Sequence, residues 1–599
     1  MYILRKKSDG ETNMKTLKTR WTDQVLADPD HVLSEYPRPS LVRESYINLN
    51  GYWDYAFTTT KEHPGKYDGK ILVPFSPEAL LSGVNRQLQP DEYLWYHRIL
   101  PEEVAETLMN PSKKRWILHF GAVDQLAAVY VNGKLICRHT GGYLPFSADI
   151  TKALNAENNE LIVVVRDCSD TSYYSRGKQK LKRGGMYYTA QSGIWQTVWL
   201  EEVPANYITG LKITPQHDTG KVDIVVSSSN THDFSLEINS KDGTQIQSTG
   251  VSNNVLSVKL DDFHSWSPED PFLYDLKITL GEDIVTSYFA MRKIEVKKDA
   301  NGLSRVFLNN QTYFQKGLLD QGYWPDGLYT APTDDALIFD ISEMKRLGFN
   351  MLRKHCKLEP ERWYYHCDRL GMLVWQDMSN GGESYKDWYV TYLATVLAHT
   401  PVKPSDRTYG LLARKNKKGQ DLFIKEMKST IQHLYNHPSI VTWVIFNEGW
   451  GQFDSNRVLD IAKTEDDTRL YDQASGWFDQ SGGDYQSIHE YFVHLKFKPE
   501  ERVTALTEFG GYAWHDPAWS MYEEEYGYKK FNSKEELSKG YEQLIQTEVL
   551  PNIKKGLSVT IYTQVSDIEE EVNGIYTYDR SLLKIDENIL KKYNKEMQL

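Results

Sequence analysis

The sequence predicts three folded units behind an N-terminal arm: a β jelly-roll sandwich, an immunoglobulin-like β-sandwich and a C-terminal (β/α)8 TIM barrel. Three observations carry this. Up to about residue 293 the apolar residues fall in short β-type runs between turn signals. After about residue 300, helical stripes alternate with apolar strand runs. The roughly 300 residues that remain suit eight strand–helix units better than an open sheet.

The arm, residues 1–40, is polar and ends at Pro37 and Pro39, as a surface strap would. Residues 41–202 hold the runs Trp116–Phe120, Ala127–Val131 and Leu161–Val165. Asn132-Gly133 closes the second of these and signals a hairpin. Many short strands without a helical period fit a jelly roll. Residues 203–293 continue with Val222–Val226 and Leu256–Leu260, over a length that suits one immunoglobulin-like sandwich. The remainder, residues 294–599, changes period. Leu337, Ile341 and Met344 lie at helical spacing before Gly348, and Asn350–Arg353 reads as the next strand. Glu359–Leu370 reads as helix, Gly371 stops it, and Met372–Gln376 reads as a buried strand. The stripe Phe423, Met427, Ile431 and Leu434 precedes Pro438 and the apolar run Ile440–Phe446.

Composition narrows the function. Net charge is −13, and the basic runs Lys113–Arg115 and Arg414–Lys418 are short, which argues against a nucleic-acid partner. No apolar stretch is long enough to span a membrane. The opening residues Met1–Lys7 soon turn polar, so a cytoplasmic location is expected. Four cysteines without Cys-x-x-Cys spacing read as free thiols. Aromatic residues reach 13%, led by 39 tyrosines, whose apolar faces and polar edges suit sugar rings.

In a barrel the active site lies at the C-terminal ends of the strands. Two carboxylates stand there: Glu448, after Val441–Phe446 and Asn447, and Glu508, after Val503–Thr507. A proton donor and a nucleophile are what glycoside hydrolysis needs. There is no Gly-x-Ser-x-Gly elbow, P-loop or dinucleotide fingerprint, so no cofactor is expected. His355 and His489 also follow strand-like runs, but without His-Glu-x-x-His spacing they read as hydrogen-bonding groups, and no metal is expected. Asp320, Trp324, Asp326, Asp377, Trp450, Trp477 and Trp514 lie near strand ends and are candidates for the pocket wall. Arg176–Gln179 of the first sandwich reads either as a loop that reaches the barrel mouth or as a solvated one.

Asn447-Glu448, Thr507–Gly510, Ser192–Trp195 and the order of the three units resemble glycoside hydrolase family 2, the family of β-galactosidases, β-glucuronidases and β-mannosidases. The resemblance runs from about residue 40 over nearly the whole chain. It implies a retaining exo-β-glycosidase with a carbohydrate substrate, and members of the family are often homo-oligomers. By motif, Glu448 would be the general acid and base and Glu508 the nucleophile, while Asn447 would bond the sugar 2-hydroxyl. Tyr491 matches a tyrosine that contacts the nucleophile, and Arg353 an arginine that keeps it ionised. His355 stands one place from the usual histidine. Three departures concern the sugar. Tyr187 stands where many members carry an aspartate, and Gln564 is near the place of a tryptophan. Glu571–Gly574 lacks the lysine of the glucuronidases' Asn-x-Lys pair. β-Galactosidase, the commonest activity of the family, is expected first, with β-glucuronidase or another family specificity as the alternative. A non-catalytic carbohydrate-binding protein and a transglycosylase are the rival classes.

Overall fold

The computed structural model describes residues 15–106, 114–400 and 402–599. Residues 1–14 of the arm and Lys113 of the basic run lie outside them. The rest of the arm is a strap. Leu17 and Trp21 bury against the barrel, Trp21 meeting Trp324 edge-on at 5.9 Å. The hydroxyls of Thr19 and Thr22 each donate to Asp326 at 2.6 Å.

The first sandwich packs a six-stranded antiparallel sheet on a four-stranded one. The larger sheet runs Gly69–Val73, Gly51–Thr58, Tyr93–Ile99, Glu160–Arg166, Leu126–Val131, Lys134–Thr140. The smaller runs Tyr46–Asn48, Val198–Pro204, Lys114–Phe120, Phe146–Asp149. Alternation along Leu126–Val131 sends Ala127, Val129 and Val131 into a core shared with Trp53, Phe120 and Val163. Asn132 and Gly133 turn that strand with φ of 50° and 72°, the left-handed pair a two-residue hairpin requires.

The second sandwich opposes three strands (Ile208–Gln216, Lys221–Ser228, Val255–Lys259) to four (Gln245–Val251, Asp233–Asn239, Tyr274–Leu280, Asp283–Phe289). Val42, just past the arm, pairs with Thr286. Next to it Arg43 reaches two units at once, donating to Glu201 at 2.7 Å and to Asp283 at 2.9 Å. Arg38 adds a bond to Glu201 at 3.0 Å.

Eight parallel strands form the barrel: β1 (Gln315–Asp320), β2 (Met351–Lys354), β3 (Leu373–Asp377), β4 (Ile440–Val444), β5 (Leu470–Asp472), β6 (Tyr485–Glu490), β7 (Val503–Gly510) and β8 (Leu557–Thr563). Ladders join all neighbours except β5 and β6, where the Asp484 amide donates to the Tyr471 carbonyl at 2.8 Å. Helices follow six of the strands, among them Asp334–Arg346, Glu361–Leu370, Lys417–Leu434 and Ser455–Glu465. Among the described residues the connections after β5 and β6 carry no helix. Leu319, Met351, Leu373, Trp375, Val503 and Ile561 fill the barrel interior, and Trp266, Ile294 and Val306 close it at the strands' N-terminal end. Only the opposite end is left for chemistry. No helix among the described residues is long and apolar enough to cross a membrane.

Candidate active site

Strand parity selects the side chains at the barrel's C-terminal rim. Met351 points into the barrel and Leu352 toward the helices, so Arg353 points inward; Leu373 and Trp375 carry Asp377 inward in the same way. The two meet as a bidentate pair, Nε to Oδ1 at 2.9 Å and Nη2 to Oδ2 at 3.0 Å. The remaining guanidinium capacity goes to Glu508 Oε1 at 3.2 Å, the Thr507 carbonyl at 3.2 Å and Asn447 Oδ1 at 2.9 Å. His355 Nδ1 lies 2.7 Å from Asp377 Oδ2.

A bulge aims Glu508. Ile488 of β6 pairs with Leu506, but His489 pairs with Glu508, which leaves Thr507 as the extra residue. Simple alternation would send Glu508 toward the helices; the extra residue turns it inward beside His489.

Glu448 lies beyond β4 in the left-handed backbone region, with φ of 50°, a conformation that costs an ordinary residue about 1–2 kcal/mol. Its amide donates to the Ser475 carbonyl at 3.0 Å, which holds it there. His489 stands between the two glutamates. Its Nδ1 is 2.8 Å from Glu448 Oε1, and its Nε2 is 3.0 Å from Ser475 Oγ and 3.7 Å from Glu508 Oε1. An oxygen of each carboxylate and a ring nitrogen of His489 all lie within 4.8 Å of one another. Gly476 makes room: at φ of 78°, a Cβ there would come 2.6 Å from the His489 ring. Tyr491 Oη donates to Glu508 Oε2 at 2.6 Å, and its ring stacks on Tyr528 with centroids 3.8 Å apart.

The electrostatics separate the roles these groups can take. Burial works against an ionised Glu508, but His489 and Arg353, with His355 and Lys178 behind them, outweigh it and bring the carboxyl down to about 2. Tyr491 moves the other way, well above its ordinary value, first through burial and then through the charge of Glu508. It therefore remains a proton donor. Burial lowers His355 and Lys178 adds to this, against the opposing pull of Asp377 and Glu508. Both His355, Cys356 and Asp377 and the trio Glu448, His489 and Glu508 have donor atoms close enough to hold a cation. Burial pushes the Cys356 thiol up, away from the thiolate a metal prefers, and the hydrogen bonds above account for the rest.

The wall around this centre is aromatic and polar. Trp450 is buried, stacked against Tyr187 at 5.7 Å and beside Tyr385 at 6.0 Å. Trp477 meets His489 edge-on at 6.0 Å. Gln564, just after β8, donates to Asn573 Oδ1 at 2.8 Å, and Asn573 donates to Glu571 at 2.9 Å. Several buried polar atoms have no protein partner: Asn447 Nδ2, Trp450 Nε1, Tyr187 Oη, Tyr385 Oη, Gln564 Oε1 and both side-chain atoms of Asn380. Unpaired buried donors and acceptors are costly unless water or a ligand meets them, and the hydroxyls of a polyhydroxylated ligand can both donate and accept.

Four of the candidates named from the sequence lie elsewhere. Asp320 follows inward Leu319, so parity turns it toward the helices, where Lys354 Nζ reaches it at 2.6 Å. Trp324 and Asp326 anchor the arm, as described above. Trp514 belongs to the short strand Tyr512–Trp514, paired with Lys529–Phe531, and packs on the helix-side core. The sequence reading did not name Asn380 or Tyr385, and it left open whether Arg176–Gln179, which carries Lys178, docks or is solvated. That loop reaches the barrel mouth: the amides of Arg176 and Gly177 donate to the Asn380 carbonyl at 2.9 and 3.0 Å, and Ser175 bridges Gly381. Gly177 makes the approach possible, since at φ of 60° a Cβ would lie 2.7 Å from Tyr329 Oη and 3.0 Å from the Cys356 carbonyl. Lys178 is thereby buried beside Trp450, its Nζ 5.4 Å from the ring centroid. The only local signal was alternation of cations at Arg176, Lys178 and Lys180.

Comparison with known proteins matches all three units. Residues 327–580 match the model "Glycosyl hydrolases family 2, TIM barrel domain", residues 89–204 the family's "sugar binding domain", and residues 206–292 "Glycosyl hydrolases family 2". Among curated relatives, a putative β-glucuronidase of Formosa agariphila is 24% identical over 471 residues, 69% of this chain and 51% of that one. A β-galactosidase large subunit of Leuconostoc lactis is 24% identical over 372 residues, 60% of this chain and 55% of that one. The chain thus spans about half the length of these relatives. The solved β-D-glucuronidase of Dictyoglomus thermophilum shares the fold with a TM-score of 0.72 at 18% identity, over 94% of this chain and 99% of that one.

Proposed function

The chain belongs to glycosyl hydrolases family 2, and from that membership we propose that it hydrolyses terminal β-linked sugars with retention of configuration. Glu508 is the nucleophile and Glu448 the general acid and base. The observation that carries this is the pair itself: two buried glutamates with carboxylate oxygens within 4.8 Å of each other. Oxygens that close fit the carboxyl spacing of about 5–5.5 Å in a retaining pair, which forms a covalent intermediate.

In the first step the Glu508 carboxylate attacks the anomeric carbon while Glu448 protonates the glycosidic oxygen, and the aglycone leaves with that proton. In the second, Glu448 takes a proton from water, the water attacks the anomeric carbon, and the bond to Glu508 breaks. Arg353 and Tyr491 each bond one oxygen of Glu508, which fixes its orientation and keeps it ionised. Arg353 also accounts for the direction of Asn447: with Oδ1 turned to the guanidinium, Nδ2 is left to donate to the sugar 2-hydroxyl. His489 spaces the two carboxylates, and Asp377 orients Arg353 and His355. The rival of binding without cleavage needs neither glutamate. The relatives' names divide between galactose, the sugar first expected, and glucuronic acid, so they support the β-glycosidase class.

A 2-fluoro glycoside matched to the best substrate should inactivate the enzyme and label Glu508, as read by peptide mass spectrometry. A label on any other residue overturns the nucleophile assignment. Proton NMR of the first product should show the β-anomer; the α-anomer would refute retention.

A further inference from the structure

We propose that Lys178, carried into the barrel mouth by the first sandwich, recognises a carboxylate on the glycone, so that the preferred substrates are β-uronides. This rests on the glycosidase reading above. Lys178 is more than nine-tenths buried, yet its ammonium makes no ion pair and no hydrogen bond among the described residues; the Trp450 ring is its neighbour. A buried charge is expensive unless an opposite charge meets it. The position is enforced by its loop, which is clamped to the Asn380 and Gly382 carbonyls and admitted by Gly177. It is also close to the chemistry, since Trp450 follows Glu448 by two residues and Gly177 packs against the carbonyl of Cys356, next to His355.

The neighbouring cations of the loop repeat the pattern. Arg176 bonds backbone carbonyls and lies over the Tyr385 ring at 4.7 Å, and Lys180 lies over the Tyr187 ring at 3.4 Å. Neither makes an ion pair with a carboxylate among the described residues. Three cations thus line one side of the mouth against aromatic faces, and Lys178 among them is buried without a hydrogen bond from its ammonium among the described residues. A neutral sugar offers Lys178 only hydroxyl acceptors, whereas a uronic acid offers a carboxylate that can bond the ammonium directly.

The test compares 4-nitrophenyl β-D-glucuronide and β-D-galacturonide with the matched β-D-glucoside and β-D-galactoside, on wild type, Lys178→Met and Lys178→Arg. Wild type should favour a uronide over its neutral partner in kcat/KM. Lys178→Met should cut that preference by about 10- to 150-fold, the worth of one hydrogen bond to a charged group, and Lys178→Arg should keep part of it. A wild-type preference for the neutral sugars, or an equal loss on both classes in Lys178→Met, overturns the proposal. Calorimetric titration of the free uronic acids and neutral sugars into the same three proteins separates the two readings. Release from no glycoside defeats the hydrolase assignment. Uronate binding that Lys178→Met weakens still upholds Lys178, and uronate binding no tighter than that of the neutral sugar overturns it.

Discussion

Tyr491→Phe removes one oxygen and leaves the ring stacked on Tyr528. The lost bond is short, 2.6 Å, buried and made to an ionised carboxylate. Such a bond contributes about 1.5–3 kcal/mol. It stabilises ionised Glu508, so its loss raises the Glu508 carboxyl by roughly 1–2 pH units at 1.36 kcal/mol per unit. Starting from about 2, the group then titrates near pH 3–4, and the acid limb of kcat/KM enters the measurable range. The same bond matters again when Glu508 regains its charge as the glycosyl-enzyme breaks down. If most of it is re-formed in that transition state, deglycosylation slows by about 10- to 150-fold, since each 1.36 kcal/mol is a factor of ten. Stopped-flow release of 4-nitrophenol should show a burst in the variant, followed by a slow steady state. An acid limb that does not move, together with an unchanged steady-state rate, would refute the view that Tyr491 holds the nucleophile.

Glu448→Ala should lower kcat/KM by about 10²- to 10⁴-fold on alkyl glycosides, which need a proton on the leaving oxygen. With a 2,4-dinitrophenyl leaving group the first step should survive, and added azide should yield a β-glycosyl azide; no azide product and equal losses on both substrates would remove Glu448 from the acid–base role. Acid stability tests the junction of the arm and the two sandwiches. Burial opposes ionised Glu201, but Arg38, then His119 and Arg43, overcome this and hold its carboxyl well below the usual range. The folded value lies below the unfolded one of about 4.3, so the contribution is complete above that pH and drains away as pH falls further. Glu201→Gln should therefore lower Tm at pH 7 and narrow the Tm difference between pH 7 and pH 3. A difference as wide as that of the wild type would show that Glu201 carries none of it.

The strands, most helices and the two glutamates could be read from the chain because they depend on local pattern. Ile440–Val444 is wholly buried and Leu126–Val131 alternates, and both patterns are visible in the residues themselves. What escaped was side-chain direction. Asp320 follows Leu319 by one place, and one place in a strand is the difference between the pocket and the helix layer. Glu508 would face the helices by simple alternation and is rescued by the Thr507 bulge, which no local signal announced. The twelve residues between Asp472 and Tyr485 include Gly482 and Gly483, and so close to the next strand leave little room for a helix. Lys178 was hidden for a different reason. Whether a surface loop is solvated or docked depends on what lies across from it, here Asn380, Gly381 and Gly382, some two hundred residues downstream.

That docked loop divides authorship of the enzyme. Bond breaking is written in the barrel, in residues whose strands must stay in register for Arg353, His489 and Glu508 to meet. The sandwich contributes Lys178, Arg176 and Tyr187 on a segment that enters no barrel ladder. On the reading proposed above, mutations there change which sugar is accepted and leave the barrel ladder that positions Glu508 untouched. The segment that would meet the sugar and the strands that would break the bond are thus joined by docking and not by a shared ladder.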